Sequence, residues 1–130
     1  MKKDEKIKIS TAKQVVDISK KMLLDEYKEH FIVHLLNARN EVILSEIVSV
    51  GTLNASLVHP RETFRMAVVN HTASIVIAHN HPSGEMEPSE ADLSLTKRLV
   101  QAGEILGIEV IDHVIFSKDC FYSFKEKHLI

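Results

Sequence analysis

The sequence has a single cysteine, Cys120. One thiol closes no intramolecular disulfide and builds no Cys-rich zinc knuckle, so the composition suits a reducing compartment. Only four glycines are present, and none belongs to a Gly-rich phosphate-binding loop or dinucleotide motif. The N-terminus lacks the apolar stretch of a signal peptide, and no run approaches the length of a membrane span. A cytoplasmic protein without a membrane partner is therefore expected. Also missing is a dense basic run interleaved with aromatics: the formal net charge is -2. That balance weakens an autonomous nucleic-acid binder and leaves nucleic acid a weakly supported partner. The densest basic cluster, Lys2, Lys3, Lys6 and Lys8, is interrupted by Asp4 and Glu5. Residues 1–10 read as a flexible, solvated basic terminus.

What is present is enough for one core: 130 residues, 45% of them hydrophobic, make a single domain from residue 11 onward. Ser10 or Thr11 can cap a helix whose Val15, Val16, Ile18, Met22 and Leu23 recur at helical spacing. His30 to Leu36 is nearly continuous in apolar residues, as in a strand covered on both faces. Asn37 to Asn40 make a turn into a second strand, Glu41 to Val50, and the pair forms a hairpin. Gly51 and Asn54 mark a break before a helix from Arg61, after Pro60, to about Asn70. Ile75 to His79 is a short central strand. A turn-rich loop leads to Ser89, which opens a helix ended by Gly107. Glu109 to Phe116 and a last segment with Cys120, Phe121, Tyr122 and Phe124 complete the order. The fold class is α+β, a mixed central sheet flanked by helices in an α-β-α arrangement.

The chemistry concentrates in His79-Asn80-His81-Pro82-Ser83-Gly84 and the residues up to Asp92. In extended backbone alternate side chains face one way, so His79 and His81 project together despite Asn80 between them. Imidazole nitrogens and a carboxylate oxygen are good zinc ligands, and three of them leave a position for water. Ser89 and Asp92 stand three apart, on one side of a helix start. The same spacing is that of a capping pair, which needs no metal. Each histidine alone can equally serve a turn or a backbone carbonyl; it is their joint placement after an apolar strand and before an acidic helix start that favours a metal. A hydrolytic site also needs a proton carrier. Glu29, at a strand entrance, is preferred over Glu46, which shares its parity with Val42, Leu44 and Val48, and both stay open. Asn80 is expected to turn away from the ligands and bind backbone, while Ser83 and Gly84 shape the turn.

From about Thr11 onward the chain resembles the RadC-like branch of the JAB/MPN metalloprotease-like family. The resemblance rests on His79-Asn80-His81-Pro82-Ser83-Gly84 and Ser89-Glu90-Ala91-Asp92, which fit the JAMM motif. It extends to Glu29-His30-Phe31, Ser49 to Asn54, Val58 to Glu62, Ala102-Gly103, Leu106-Gly107-Ile108 and Asp112-His113. The resemblance implies a cytidine-deaminase-like α-β-α fold, zinc on His79, His81 and Asp92, and Glu29 as the separated general acid/base. It also implies that Ser89 donates to the tetrahedral intermediate or orients water. Relatives in other branches cleave amide or isopeptide bonds. Longer RadC-like proteins carry an N-terminal helix-hairpin-helix region and a historical link to DNA repair.

Other reactive side chains have plainer readings. Asp112 and His113 suit a hydrogen-bonded pair at a strand edge, and His30, His34, His59 and His71 suit satisfied or exposed histidines. Cys120 and Ser89 have no specified histidine base for nucleophilic catalysis. The expected function is a zinc-dependent hydrolase of a peptide, protein or small amide substrate. The competing class is a metal-stabilised protein-interaction or DNA-processing accessory module. Phosphate hydrolysis in nucleic acid is weaker, since a mononuclear His-His-Asp site does not identify it. An exposed apolar strand edge makes a homodimer an open alternative.

Overall fold

The computed structural model describes residues 6–51 and 58–130. Thr11 begins the first helix, α1 (Ala12–Lys20), by accepting the Gln14 backbone N–H while the Gln14 side chain reaches back to the cap, a reciprocal capping box. The helix ends earlier than its apolar pattern, at a cap on Lys21, and Met22 and Leu23 pack from the following turn. The next two strands, β1 (His30–Leu36) and β2 (Val42–Val50), form the expected antiparallel hairpin. Asn37 shapes its turn by accepting the Arg39 and Glu41 N–H groups on its side-chain oxygen. All of β1 is buried.

Of the expected break, Gly51 has φ 118, while Asn54 lies outside the described residues. Phe64, buried and with φ -94 and ψ -5, divides the next helix into α2 (Pro60–Thr63) and α3 (Arg65–Val69). The central strand β3 (Ser74–Asn80) is buried throughout. The long helix α4 (Glu90–Leu106) then crosses to β4 (Glu109–Phe116), and β5 (Phe121–Ser123) closes the sheet. Gly107, at φ 73, is the left-handed C-terminal stop, a conformation that suits glycine.

The strand order is β2-β1-β3-β4-β5. Only β3 and β4 run parallel among these pairs, and a parallel pair requires a crossover; α4 supplies it. Strand alternation sorts the core into two layers. Phe31, Val33, Ile75 and Ile77 face Phe64, Ala67, Leu95 and Leu99. On the other face Ile32, Val76, Ala78, Val114 and Phe116 meet Val15 and Val16 of α1. The mixed sheet flanked by helices agrees with the expected α+β class.

The N-terminal stretch is tied down from residue 7. Val42 N–H donates to the Ile7 carbonyl, Ile9 N–H donates to the Asn40 carbonyl, and Ile9 is buried. Lys2 and Lys3 lie outside the described residues. No described helix is long and apolar enough to cross a membrane.

Candidate metal centre

The C-terminal end of β3 delivers His79 on the α4 face of the sheet, since it shares parity with Ile75 and Ile77 of that layer. Just beyond the strand, His81 N–H donates to the Phe116 carbonyl and Gly84 N–H to the His81 carbonyl. Gly84 has φ 86, so the turn uses its conformational freedom as expected. His81 Nδ1 lies 2.6 Å from the Glu85 carbonyl oxygen. A carbonyl only accepts, so Nδ1 carries the proton and Nε2 of the neutral ring is bare.

Asp92 serves two neighbours. Its Oδ2 accepts the Ser89 N–H at 2.9 Å, and Ser89 Oγ accepts the Asp92 N–H at 3.0 Å; the capping box expected from the spacing is complete. The same Oδ2 lies 3.4 Å from His81 Nε2, while Oδ1 lies 3.9 Å from His79 Nδ1. Two ligands at about 2.1 Å from a tetrahedral ion stand roughly 3.4 Å apart, which is the His81–Asp92 separation. The first turn of α4 also carries Glu90, and acidic groups there are favoured by the helix dipole.

Between the two acids considered for proton transfer, position discriminates. Glu29, His79 and His81 each offer a ligand atom, all within 4.8 Å of one another. Glu46 pairs with Val33, two residues along β1 from Phe31, the partner of His79. Ser89 is exposed at the helix start, and its cap uses the oxygen as acceptor, leaving its proton to donate.

The electrostatics suit a cation. Burial pushes His79 down to about 4 against the opposing pull of Asp92, with His81 pushing the same way as burial. The Asp92 hydrogen bond raises His81. For Asp92 itself burial works upward, yet the His81 hydrogen bond, the His79 charge and the Ser89 bonds hold its carboxyl well below the usual carboxylate range. The group whose ligand atoms all lie within 4.8 Å of one another is Glu29, His79 and His81, with Asp92 outside it at 3.4 Å from His81 and 3.9 Å from His79; nitrogen and oxygen donors of this kind fit zinc.

One contact to His79, and the one that stands behind it, are not legible in the motif. His113 Nε2 lies 3.3 Å from His79 Nδ1, and His113 Nδ1 lies 2.6 Å from Thr96 Oγ1. Thr96 spends its single proton on the Asp92 carbonyl at 2.7 Å. It must therefore accept from His113 Nδ1, and His113 Nε2 accepts from His79 Nδ1. His79 Nε2 is then the bare nitrogen. Phe124 stacks on the His113 ring at 4.5 Å, and burial lowers His113 to about 3, so the ring stays neutral. Helical spacing from Asp92 points to Thr96 in retrospect; nothing local announces His113 as its partner.

Asp112 and His113 are hydrogen-bonded to each other as expected, on the stretch of β4 that precedes its pairing with β5 at Val114. The Asp112 carboxylate accepts from the His113 and Lys125 backbone N–H groups and from Ser123 Oγ. Its ring neighbour faces the other side, toward Thr96. Asn80 does bind backbone, but across the sheet: Oδ1 accepts the His30 N–H at 2.6 Å and Nδ2 donates to the Lys28 carbonyl at 2.9 Å. His30 and His34 are buried and hydrogen-bonded, His59 precedes α2, and His71, just past the Asn70 cap of α3, has φ 53. Cys120 is exposed beside Ser117.

Comparison with known proteins bears on the same residues. Residues 9–129 match the family described as the RadC-like JAB domain. A UPF0758 protein of Desulforamulus reducens is 52% identical over 108 residues, covering 83% of this chain and 48% of that protein. A UPF0758 protein of Chlorobium chlorochromatii is 46% identical over 123 residues, covering 95% and 55%. One from Methanosarcina mazei is 39% identical over 127 residues, covering 98% and 56%. The chain spans about half the length of these relatives. With a match over nearly its whole length and the histidine pair, the acidic helix start and the separated glutamate meeting at one end of β3, the chain belongs to the RadC-like JAB-domain family, within the JAB/MPN superfamily.

Proposed function

We propose that this domain is a zinc-dependent hydrolase of a peptide, isopeptide or related amide bond, with His79, His81 and Asp92 as ligands, Glu29 as general acid/base and Ser89 as hydrogen-bond donor to the reacting oxygen. The observation that carries this reading is the position of Glu29, brought from the β1 entrance to the two histidines. Glu29 is read as the proton carrier and not as a fourth ligand, which keeps open the position that a catalytic zinc reserves for water.

Zinc, when bound, supplies a Lewis acid and lowers the pKa of water to about 7. Glu29 accepts the proton of the attacking water and returns it to the leaving nitrogen. Ser89 donates its hydroxyl proton toward developing oxygen charge while its oxygen keeps the helix cap. A cleft of about 390 Å³ beside the site, lined by Leu23, Tyr27, His81, Pro82 and Phe116, offers room for a chain segment next to the scissile bond.

A second reading, a metal-stabilised interaction or DNA-processing accessory module, is favoured by the capping box that Ser89 and Asp92 complete without any metal. One experiment separates the two. Protein purified without an affinity-tag metal artefact is analysed for zinc and assayed against peptide and isopeptide libraries, beside a His79→Ala variant and a Glu29→Gln variant. The hydrolase reading expects stoichiometric zinc, metal-dependent cleavage, zinc loss in His79→Ala, and retained zinc with at least about a hundredfold slower cleavage in Glu29→Gln. Zinc without turnover, together with salt-dependent DNA binding, favours the accessory module.

A further inference from the structure

We propose that Asn80 is the positioning residue for Glu29: its side-chain amide clamps the backbone on both sides of that glutamate and so sets the carboxylate against His79 and His81. The inference rests on the hydrolytic reading of the site and adds to it the element that joins its two halves.

The backbone pairing of β1 with β3 ends at Phe31 opposite His79. One step further, where His30 and Asn80 would face each other, the Asn80 side chain takes over the pairing. Its Oδ1 accepts the His30 N–H at 2.6 Å and its Nδ2 donates to the Lys28 carbonyl at 2.9 Å. These two groups flank Glu29 in the chain. Gly51 N–H donates to the carbonyl of Glu29 itself at 2.8 Å. The His30 ring braces the approach, with Nδ1 at 2.9 Å from the same Lys28 carbonyl and Nε2 accepting the Leu24 N–H at 3.1 Å.

The side-chain identity matters. A donor and an acceptor must stand side by side in one short planar group, which asparagine provides. Aspartate lacks the donor, and glutamine is one methylene too long. Asn80 is almost fully buried, so truncating it would leave the His30 N–H unpaired and the Lys28 carbonyl held by the His30 ring alone. It occupies the parity of Val76 and Ala78, opposite to that of His79, so truncation acts on the β1 entrance before it acts on the imidazoles. Its place between the two histidines couples the position of Glu29 directly to the strand that carries them.

The test uses the full chain. In metal-free protein, amide exchange at His30 is compared between the unsubstituted chain and Asn80→Ala, with Ile77 as an internal reference. Loss of one hydrogen bond is expected to speed His30 exchange about fivefold to tenfold and to leave Ile77 unchanged. In protein loaded with cobalt as the probe metal, paramagnetic broadening of the Glu29 carboxyl carbon is expected to be lost in Asn80→Ala while that of the His79 and His81 rings persists. Asn80→Asp keeps the acceptor for His30 and removes the donor to Lys28, so Glu29 should lose broadening with His30 still protected; it serves if Asn80→Ala fails to fold. Unchanged Glu29 broadening, or equal loss at the histidines, would overturn the proposal. Failure of the unsubstituted chain to take up cobalt would sink the metal reading, and the His30 exchange result alone would then decide whether the clamp exists.

Discussion

His113 Nε2 lies 3.3 Å from His79 Nδ1, so a buried histidine on β4 decides which nitrogen of His79 is bare. Partners of this kind that orient a metal ligand usually change affinity ten- to a hundredfold when removed. His113→Phe, which can still stack on Phe124, is expected to weaken zinc binding by about that factor, as read by competition with a chromophoric chelator. Unaltered affinity in a folded His113→Phe protein would refute the proton inventory drawn through Thr96.

Asp92 separates cap from charge. Asp92→Asn keeps an acceptor for the Ser89 N–H but removes the negative oxygen near His81. Metal-free Asn variant should melt close to the unsubstituted protein, whereas Asp92→Ala should lose about 1 kcal/mol from the broken capping box. Both should bind zinc poorly. Equal stability of the two variants would show that the cap contributes nothing.

Acid sensitivity follows from His34, on the face of the sheet away from the metal centre. Ser19 Oγ gives its proton to the Val15 carbonyl, so it accepts from His34 Nε2, and Ser45 Oγ donates to His34 Nδ1. Burial lowers the ring to about 4. The unfolded chain then binds the proton first: stability is fully present above about pH 6.5 and falls as the pH drops from there toward 4. The loss is roughly 3 kcal/mol at most for this group. Urea unfolding at pH 7.5 and 5 should show a smaller acid loss in His34→Gln than in the unsubstituted protein. An identical loss in both would assign the effect to His79 and His113 instead.

Gly103 is expected to be intolerant for a steric reason. A Cβ there would overlap the Ile108 carbonyl oxygen, with Phe64 and Val110 closing the remaining space. Gly103→Ala should cost about 1–3 kcal/mol through forced backbone movement, despite alanine's better helix propensity. A melting temperature equal to or above that of the unsubstituted protein would contradict the crowding.

Much of the fold was legible because period and punctuation agree: Thr11 caps, Gly107 stops a helix, and the nearly continuous apolar run of β1 is buried on both faces. Helix lengths were less so. Met22 and Leu23 continue the helical spacing yet pack from a turn, and Phe64 breaks a continuous pattern by entering the core. At the site, the local motif located His79, His81, Ser89 and Asp92, because strand alternation and helical spacing act within a few residues. Glu29 was already preferred over Glu46 at its strand entrance, but its distance to the two histidines depends on how β1 pairs with β3. His113 and the Asn80 clamp required strand neighbours that no local spacing encodes.

The stretch from His79 to Asp92 carries its own turn, its own tautomer-setting carbonyl at Glu85 and its own helix cap. These local devices shape the turn and the helix start, whereas Glu29 reaches the histidines from the entrance of β1. Under the proposed function, metal retention and bond cleavage are separable by mutation: a descendant that drifts at the β1 entrance would keep its ion and survive as a binding domain.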